Sequence, residues 1–276
     1  MTGNEALRLA VPRLKAAGID DAPRDARLLL AYALHIAPDR LTLHLTDALP
    51  PQAQTRYDTA LAARERRQPV AQIIGQRRFW RHAFTVTPDV LDPRPDTETL
   101  VAAALEHPFA RLLDLGTGSG CILLSLLIDM PEASGIGSDI SEPALHVARH
   151  NAATLGVTRA SFVQSNWCTS ISGRFDLIVS NPPYITAAEM ADLSPEVREW
   201  EPHLALTPGG DGLHAYRQIA VQAPAHLMPG GRLMVEIGPT QSAAVTALFA
   251  AQGLTQITTR PDLDGRDRVV TAQKPD

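Results

Sequence analysis

Apolar positions in the first 68 residues recur at helical spacing. Ala6, Leu7, Leu9, Ala10, Leu14 and Ala17 share one face, and the run stops at Gly18. Leu28, Leu29, Leu30, Ala33 and Leu34 repeat the pattern within residues 21–36. A third helix is predicted over 51–67, opening on Pro51, where a first helical position accepts a residue without an N–H. Residues 70–92 change character. Val70, Ile73, Ile74, Phe79, Trp80, Phe84, Val86 and Val90, broken by Gly75, predict a β-hairpin connector. Pro88, Pro93 and Pro95 favour extended chain and set a boundary near residue 93. The pattern therefore divides the chain into a helical domain over 1–69, a connector over 70–92 and a larger domain over 93–276.

Beyond residue 110 the period alternates. Strands are predicted over 111–115, 135–140, 160–164, 175–180, 232–237, 254–260 and 268–273. Helices are predicted over 121–129, 142–155, 214–227 and 243–251. Such alternation makes an α/β domain with a parallel sheet covered on both faces. The last two strands, separated only by a turn at Asp264 and Gly265, should pair antiparallel.

Composition narrows the class. The 276 residues are 45% hydrophobic and 20% charged, enough apolar material for a core. No apolar run reaches the ~20 residues of a membrane helix, and the N-terminus lacks the order of a signal peptide. Two cysteines, Cys121 and Cys168, make neither a disulfide framework nor a four-ligand zinc site. None of the nine histidines has metal-ligand spacing, so no metal is expected. A cytoplasmic protein with no membrane association is the expectation. Net charge is +3 over residues 1–92 and −8 over 93–276. An acidic larger half is a poor footprint for a phosphate backbone, so direct nucleic-acid binding is not expected.

Four loops carry chemistry. Asp114-Leu115-Gly116-Thr117-Gly118-Ser119-Gly120 joins a strand to a helix. Residues without Cβ let a ligand approach the backbone. The Gly-x-Gly-x-Gly spacing departs from the dinucleotide fingerprint and favours a smaller nucleoside. Asp139, at the end of the next strand, can accept both ribose hydroxyls, while Ser141 is the better helix cap. Asn166 and Trp167 follow the third strand, where Trp167 can flank a base. Asn181-Pro182-Pro183-Tyr184 follows the fourth. Two prolines fix this backbone and remove two donors. The Asn181 side-chain oxygen and the Pro182 carbonyl are then two acceptors for a planar –NH2, with a tyrosine ring beside them. That group is either a carboxamide or the exocyclic amine of a base.

With these motifs the chain resembles the seven-strand, Rossmann-like S-adenosylmethionine-dependent methyltransferases. Within them it resembles the release factor glutamine methyltransferases (the PrmC/HemK family). The resemblance runs over the whole length. It includes Pro93-Arg94-Pro95-Asp96-Thr97-Glu98, Glu201-Pro202, Gly209-Gly210-Asp211-Gly212-Leu213 and Glu236-Ile237-Gly238. Asp96 stands where glutamate is usual, and Asn166 where aspartate is common. The resemblance implies transfer of a methyl group from S-adenosyl-L-methionine to the side-chain amide nitrogen (N5) of the glutamine in a Gly-Gly-Gln tripeptide of peptide-chain release factors, the protein partner. It implies a role in translation termination. Gly116, Thr117, Gly118, Ser119, Gly120, Asp139, Trp167 and Asn181 are expected to bind the cofactor. Asn181, Pro182, Pro183 and Tyr184 are expected to bind the substrate, with Asn181, Pro182 and Tyr184 as the catalytic group. The amide is then aimed in line at the methyl group. The helical domain is the expected docking element of a monomer. The alternative is an N6-adenine methyltransferase using the same clamp on nucleic acid.

Overall fold

Thr2 opens the first helix with a reciprocal cap: its hydroxyl accepts from the Glu5 N–H, and the Glu5 carboxylate accepts from the Thr2 N–H at 2.8 Å. The structure is a computed structural model describing residues 1–276, and its chain forms two compact units. The first comprises Met1–Gln76 together with Ser194–Trp200. The second comprises Arg77–Leu193 and Glu201–Asp276.

The first unit packs helices Gly3–Ala16, Ala22–Leu34 and Pro51–Glu65 around Leu14, Leu29, Leu30, Leu41, Tyr57 and Leu61, all buried. Leu9 departs from the expected buried face and is 56% exposed. The buried stripe runs through Gly3, Ala6, Ala10 and Leu14, and Leu9 lies about 100° around the helix from Ala10. Val70–Ile74 also differs from expectation. It is a helical turn, closed by Gly75 at φ +80°, not extended chain. Its β-branched residues read as strand, but Val70, Ile73 and Ile74 pack on the helical core. Arg64 is buried in this unit. It donates to Asp25 at 2.7 Å and to Glu196 at 3.0 Å, which fastens the 194–200 segment to the helices.

The second unit opens at Arg77, within the hairpin of Gln76–Phe79 (β1) and His82–Thr85 (β2). Its sheet has seven strands: Arg111–Leu115 (β3), Ser134–Asp139 (β4), Ala160–Gln164 (β5), Phe175–Ser180 (β6), Leu227–Glu236 (β7), Thr255–Pro261 (β8) and Asp267–Gln273 (β9). Their order is β5-β4-β3-β6-β7-β9-β8. β3 to β7 are parallel; β9 is antiparallel to β8, as the short turn between them predicts, and also to β7. Leu112 and Leu113 belong to two separate apolar clusters, with Leu177 and Val179 beside the first and Ile178 and Val235 beside the second. Both faces of the sheet are therefore buried. Sequence periodicity did not foresee the helix Glu98–Leu105 or the short helices Pro195–Trp200 and His203–Leu206. The chain leaves β3 toward β4 and β5, then returns to place β6 on the other side of β3. Such a reversal opens a crevice beyond the carboxyl ends of the strands.

Candidate active site

The crevice holds a cavity of about 400 Å³. The loop after β3 forms one wall, with φ of +69°, +54° and +80° at Gly116, Gly118 and Gly120. A Cβ at Gly116 or Gly118 would meet no protein atom, so the backbone there faces open space. The loop is pinned from three sides. Its Thr117 N–H donates to the Ser138 carbonyl at 2.9 Å, and the Thr117 hydroxyl donates to Asp114 at 2.7 Å. Asn151 donates to the Ser119 carbonyl at 2.9 Å and exchanges two hydrogen bonds with the Thr85 backbone. Gly137 of β4 is glycine for a related reason: a Cβ there would come within 2.9 Å of the Thr117 hydroxyl. Asp114 is fully buried, and burial raises its carboxyl pKa to about 7 against the hydrogen bond from Thr117.

Asp139 ends β4 at the cavity. One carboxylate oxygen accepts from the Gly118 N–H at 3.0 Å and the other from the Ser141 N–H at 2.9 Å. Burial raises its pKa, while these backbone donors oppose the rise. Ser141 caps the helix Glu142–Leu155 through its own hydroxyl, so Asp139 is not used as the cap. Asn166 and Trp167 line the cavity after β5, with Trp167 in the left-handed region at φ +54°.

Asn181 follows β6, and its Nδ2 donates to the Thr97 hydroxyl at 3.1 Å. Asn181, Pro183 and Thr97 all line the cavity. Gly120, Pro182 and Tyr184 do not. Pro182 is buried, and the Tyr184 hydroxyl donates to Glu236 at 3.4 Å. The Tyr184 carbonyl accepts from the Gln241 side chain at 3.0 Å, which holds the 181–184 turn from beyond β7. Burial, and then the neighbouring Glu236, push the Tyr184 phenol well above its ordinary pKa, so it remains a donor.

Several lining or supporting residues had no role assigned by local sequence reasoning. Thr97, Arg94, Leu204 and His214 line the cavity. Arg94 binds both oxygens of Glu201, at 2.8 and 2.7 Å. Burial lifts the Glu201 pKa to about 7 against the nearby guanidinium. For Arg94, Thr97 and Glu201 the only sequence signal was their place in the 93–98 and 201–202 segments; Leu204 and His214 carried none.

A parallel sheet with an antiparallel β9, a glycine loop after β3 and an acid ending β4 define the S-adenosylmethionine-dependent methyltransferase fold. A methyltransferase from Pyrococcus furiosus superposes with a TM-score of 0.54 at 16% identity, covering 70% of this chain and 89% of that one. The family described as PrmC N-terminal domain matches residues 5–75, and that described as Methyltransferase small domain matches residues 89–197. The release factor glutamine methyltransferase of Cereibacter sphaeroides is 61% identical, over 100% of this chain and 99% of its own length. That of Rhodospirillum rubrum is 46% identical, over 95% of this chain and 82% of its own. The chain belongs to the release factor glutamine methyltransferase family. Both the family and the fold imply use of S-adenosylmethionine.

Proposed function

We propose that this chain methylates the side-chain amide nitrogen of the glutamine in the Gly-Gly-Gln tripeptide of peptide-chain release factors, in the cytoplasm, as part of translation termination. The observation that carries the reading is Asn181 beside the cavity with its Nδ2 engaged by Thr97, which frees Oδ1 to accept a substrate N–H. Kinship with release factor glutamine methyltransferases supports the substrate class.

The residues present fit the cofactor. Gly116 and Gly118 offer a backbone wall with open space where a side chain would stand. Asp139 offers an acceptor carboxylate suited to ribose hydroxyls, and Trp167 a flat apolar surface for a base. Thr117 and Ser119 complete the loop, and Gly120 turns it into the helix Cys121–Asp129. The cofactor supplies an electrophilic methyl group on a sulfonium. Everything else falls to the protein.

An amide nitrogen is a poor nucleophile because its lone pair is delocalised. Asn181 Oδ1 at the cavity and, from the buried residue that follows it, the Pro182 carbonyl would hold its two hydrogens and so fix the direction of the nitrogen. Orientation of this kind contributes up to ~7–11 kcal/mol in the best intramolecular systems. The same acceptors stabilise positive charge growing on that nitrogen. Pro183 keeps the turn rigid, and Tyr184 supports it through Glu236. The test is to incubate the chain with labelled S-adenosylmethionine and a purified release factor. Incorporation of label, abolished when the Gly-Gly-Gln glutamine is replaced, is the expected result. Equal labelling of the replaced factor would refute the substrate.

A further inference from the structure

Two segments singled out in the sequence, 209–213 and 236–238, supply no residue to the cavity wall. They converge instead behind the Asn181–Tyr184 turn, at the Tyr184 carbonyl. Gln241 Nε2 donates to that oxygen at 3.0 Å. Gly212, at φ +74°, backs onto it so closely that a Cβ would collide with the oxygen. The chain on either side is stitched together as well. The Ile185 N–H donates to the Leu206 carbonyl at 3.0 Å, and the Ala187 N–H to the Gly210 carbonyl at 3.1 Å.

Gln241 is itself held in one sense. It is buried, and its Oε1 accepts from the Gly238 N–H at 3.0 Å. A backbone N–H can only donate and a carbonyl can only accept. With Gly238 on one side and Tyr184 on the other, the carboxamide has a single orientation that satisfies both. The Tyr216 hydroxyl closes the group, 2.9 Å from the Glu236 carbonyl and 3.3 Å from Gln241 Oε1.

We propose that Gln241 and Gly212 form a seat for the Tyr184 carbonyl that aims the Asn181–Tyr184 turn at the substrate amide, which makes Gln241 a positioning residue for methyl transfer. The inference rests on the amide-methylating reading above. Gln241 does not line the cavity, so it acts through the turn. The turn is built to carry such an influence. Asn181 and Pro182 each precede a proline and are confined to extended backbone, and both prolines fix their own φ. Few torsions between the Tyr184 carbonyl and Asn181 can yield. A shift at the seat is therefore passed to the Pro182 carbonyl and to Asn181. A misplacement of about 1 Å caused from outside the chemistry can cost about 100-fold in rate.

The experiment measures kcat and KM for methyl transfer to a purified release factor. Rates are counted per cofactor-binding site, from calorimetric titration with S-adenosylmethionine, so that unfolded chains do not enter. Gln241→Met keeps the length of the side chain and removes its donor. It should lose about tenfold or more in kcat, with KM for the release factor and cofactor affinity within about twofold. Gly212→Ala presses on the same carbonyl from the other side and should show the same split. It carries the test if Gln241→Met does not fold. Wild-type kcat per site in these variants would overturn the positioning role. So would a loss of cofactor affinity that matches the loss of rate, because the contact would then hold the cofactor site together instead of aiming the turn. The wild-type control separates this result from the substrate reading: a wild-type chain that leaves the glutamine unlabelled refutes that reading, and this proposal falls with it.

Discussion

Asp139 Oδ2 accepts the Gly118 N–H at 3.0 Å, so the acid that ends β4 also braces the glycine loop after β3. Its other oxygen is held by the Ser141 N–H. Each oxygen keeps a further lone pair for a ligand at the cavity. Replacing Asp139 with alanine removes a ligand acceptor and a loop brace together. Hydrogen bonds to charged groups contribute ~1.5–3 kcal/mol, so S-adenosylmethionine should bind about 10- to 150-fold more weakly to Asp139→Ala. Isothermal calorimetry would show it, and an unchanged Kd would remove Asp139 from the cofactor site.

Stability should depend on pH in an unusual direction. Asp114, Glu201 and Glu236 each have carboxyl pKa values raised to about 7 by burial. The folded chain therefore binds more protons than the unfolded chain between the ordinary carboxylate range and about pH 7. Where the native state holds the extra protons, stability falls as pH rises. The contribution of these groups is fully present below the unfolded values and lost as pH rises through 7. Thermal unfolding should occur at a higher temperature at pH 5.5 than at pH 8. A combined Glu201→Gln, Glu236→Gln variant should flatten that slope. A slope of the opposite sign in the wild type would contradict the assignment.

Arg64 is the one cation bonded to both Asp25 and Glu196 inside the helical unit, with only 9% of its side chain exposed. Removing one partner of a buried ion pair leaves uncompensated charge and costs ~3–5 kcal/mol; here Asp25 loses its cation, while Glu196 keeps Arg67 at 2.7 Å. Arg64→Ala should lower the denaturation midpoint accordingly and free the 194–200 segment for proteolysis. An unchanged midpoint would show that Asp25 finds water instead.

The parts of the site that could be read from sequence are those with a local signature. Alternating glycines at 116, 118 and 120 need only their own backbone angles to be intelligible, and Asp139 needs only its place at a strand end. The supporting pairs are not local. Arg94 and Glu201 are 107 residues apart, and Asn181 and Thr97 are 84 apart. Only the sheet order brings them together. Tyr184 illustrates the limit: its neighbour Asn181 lines the cavity, yet its own hydroxyl is directed to Glu236 on another strand. Elsewhere the failure was of period. Five residues at 70–74 are too few for periodicity to separate a helical turn from a strand, and their β-branched side chains tipped the reading toward strand.

Asn181 is the proposed acceptor for an amide N–H at the centre of the site. The most direct measurement compares wild type with Asn181→Ala in single-turnover methyl transfer to a purified release factor, mapping the product by mass spectrometry. The wild type should place one methyl group on a glutamine side-chain nitrogen. At saturating S-adenosylmethionine, Asn181→Ala should transfer about 100-fold or more slowly, because an oriented transition-state acceptor contributes ~2.7–4 kcal/mol. Transfer by Asn181→Ala at the wild-type rate to the same glutamine would contradict the account.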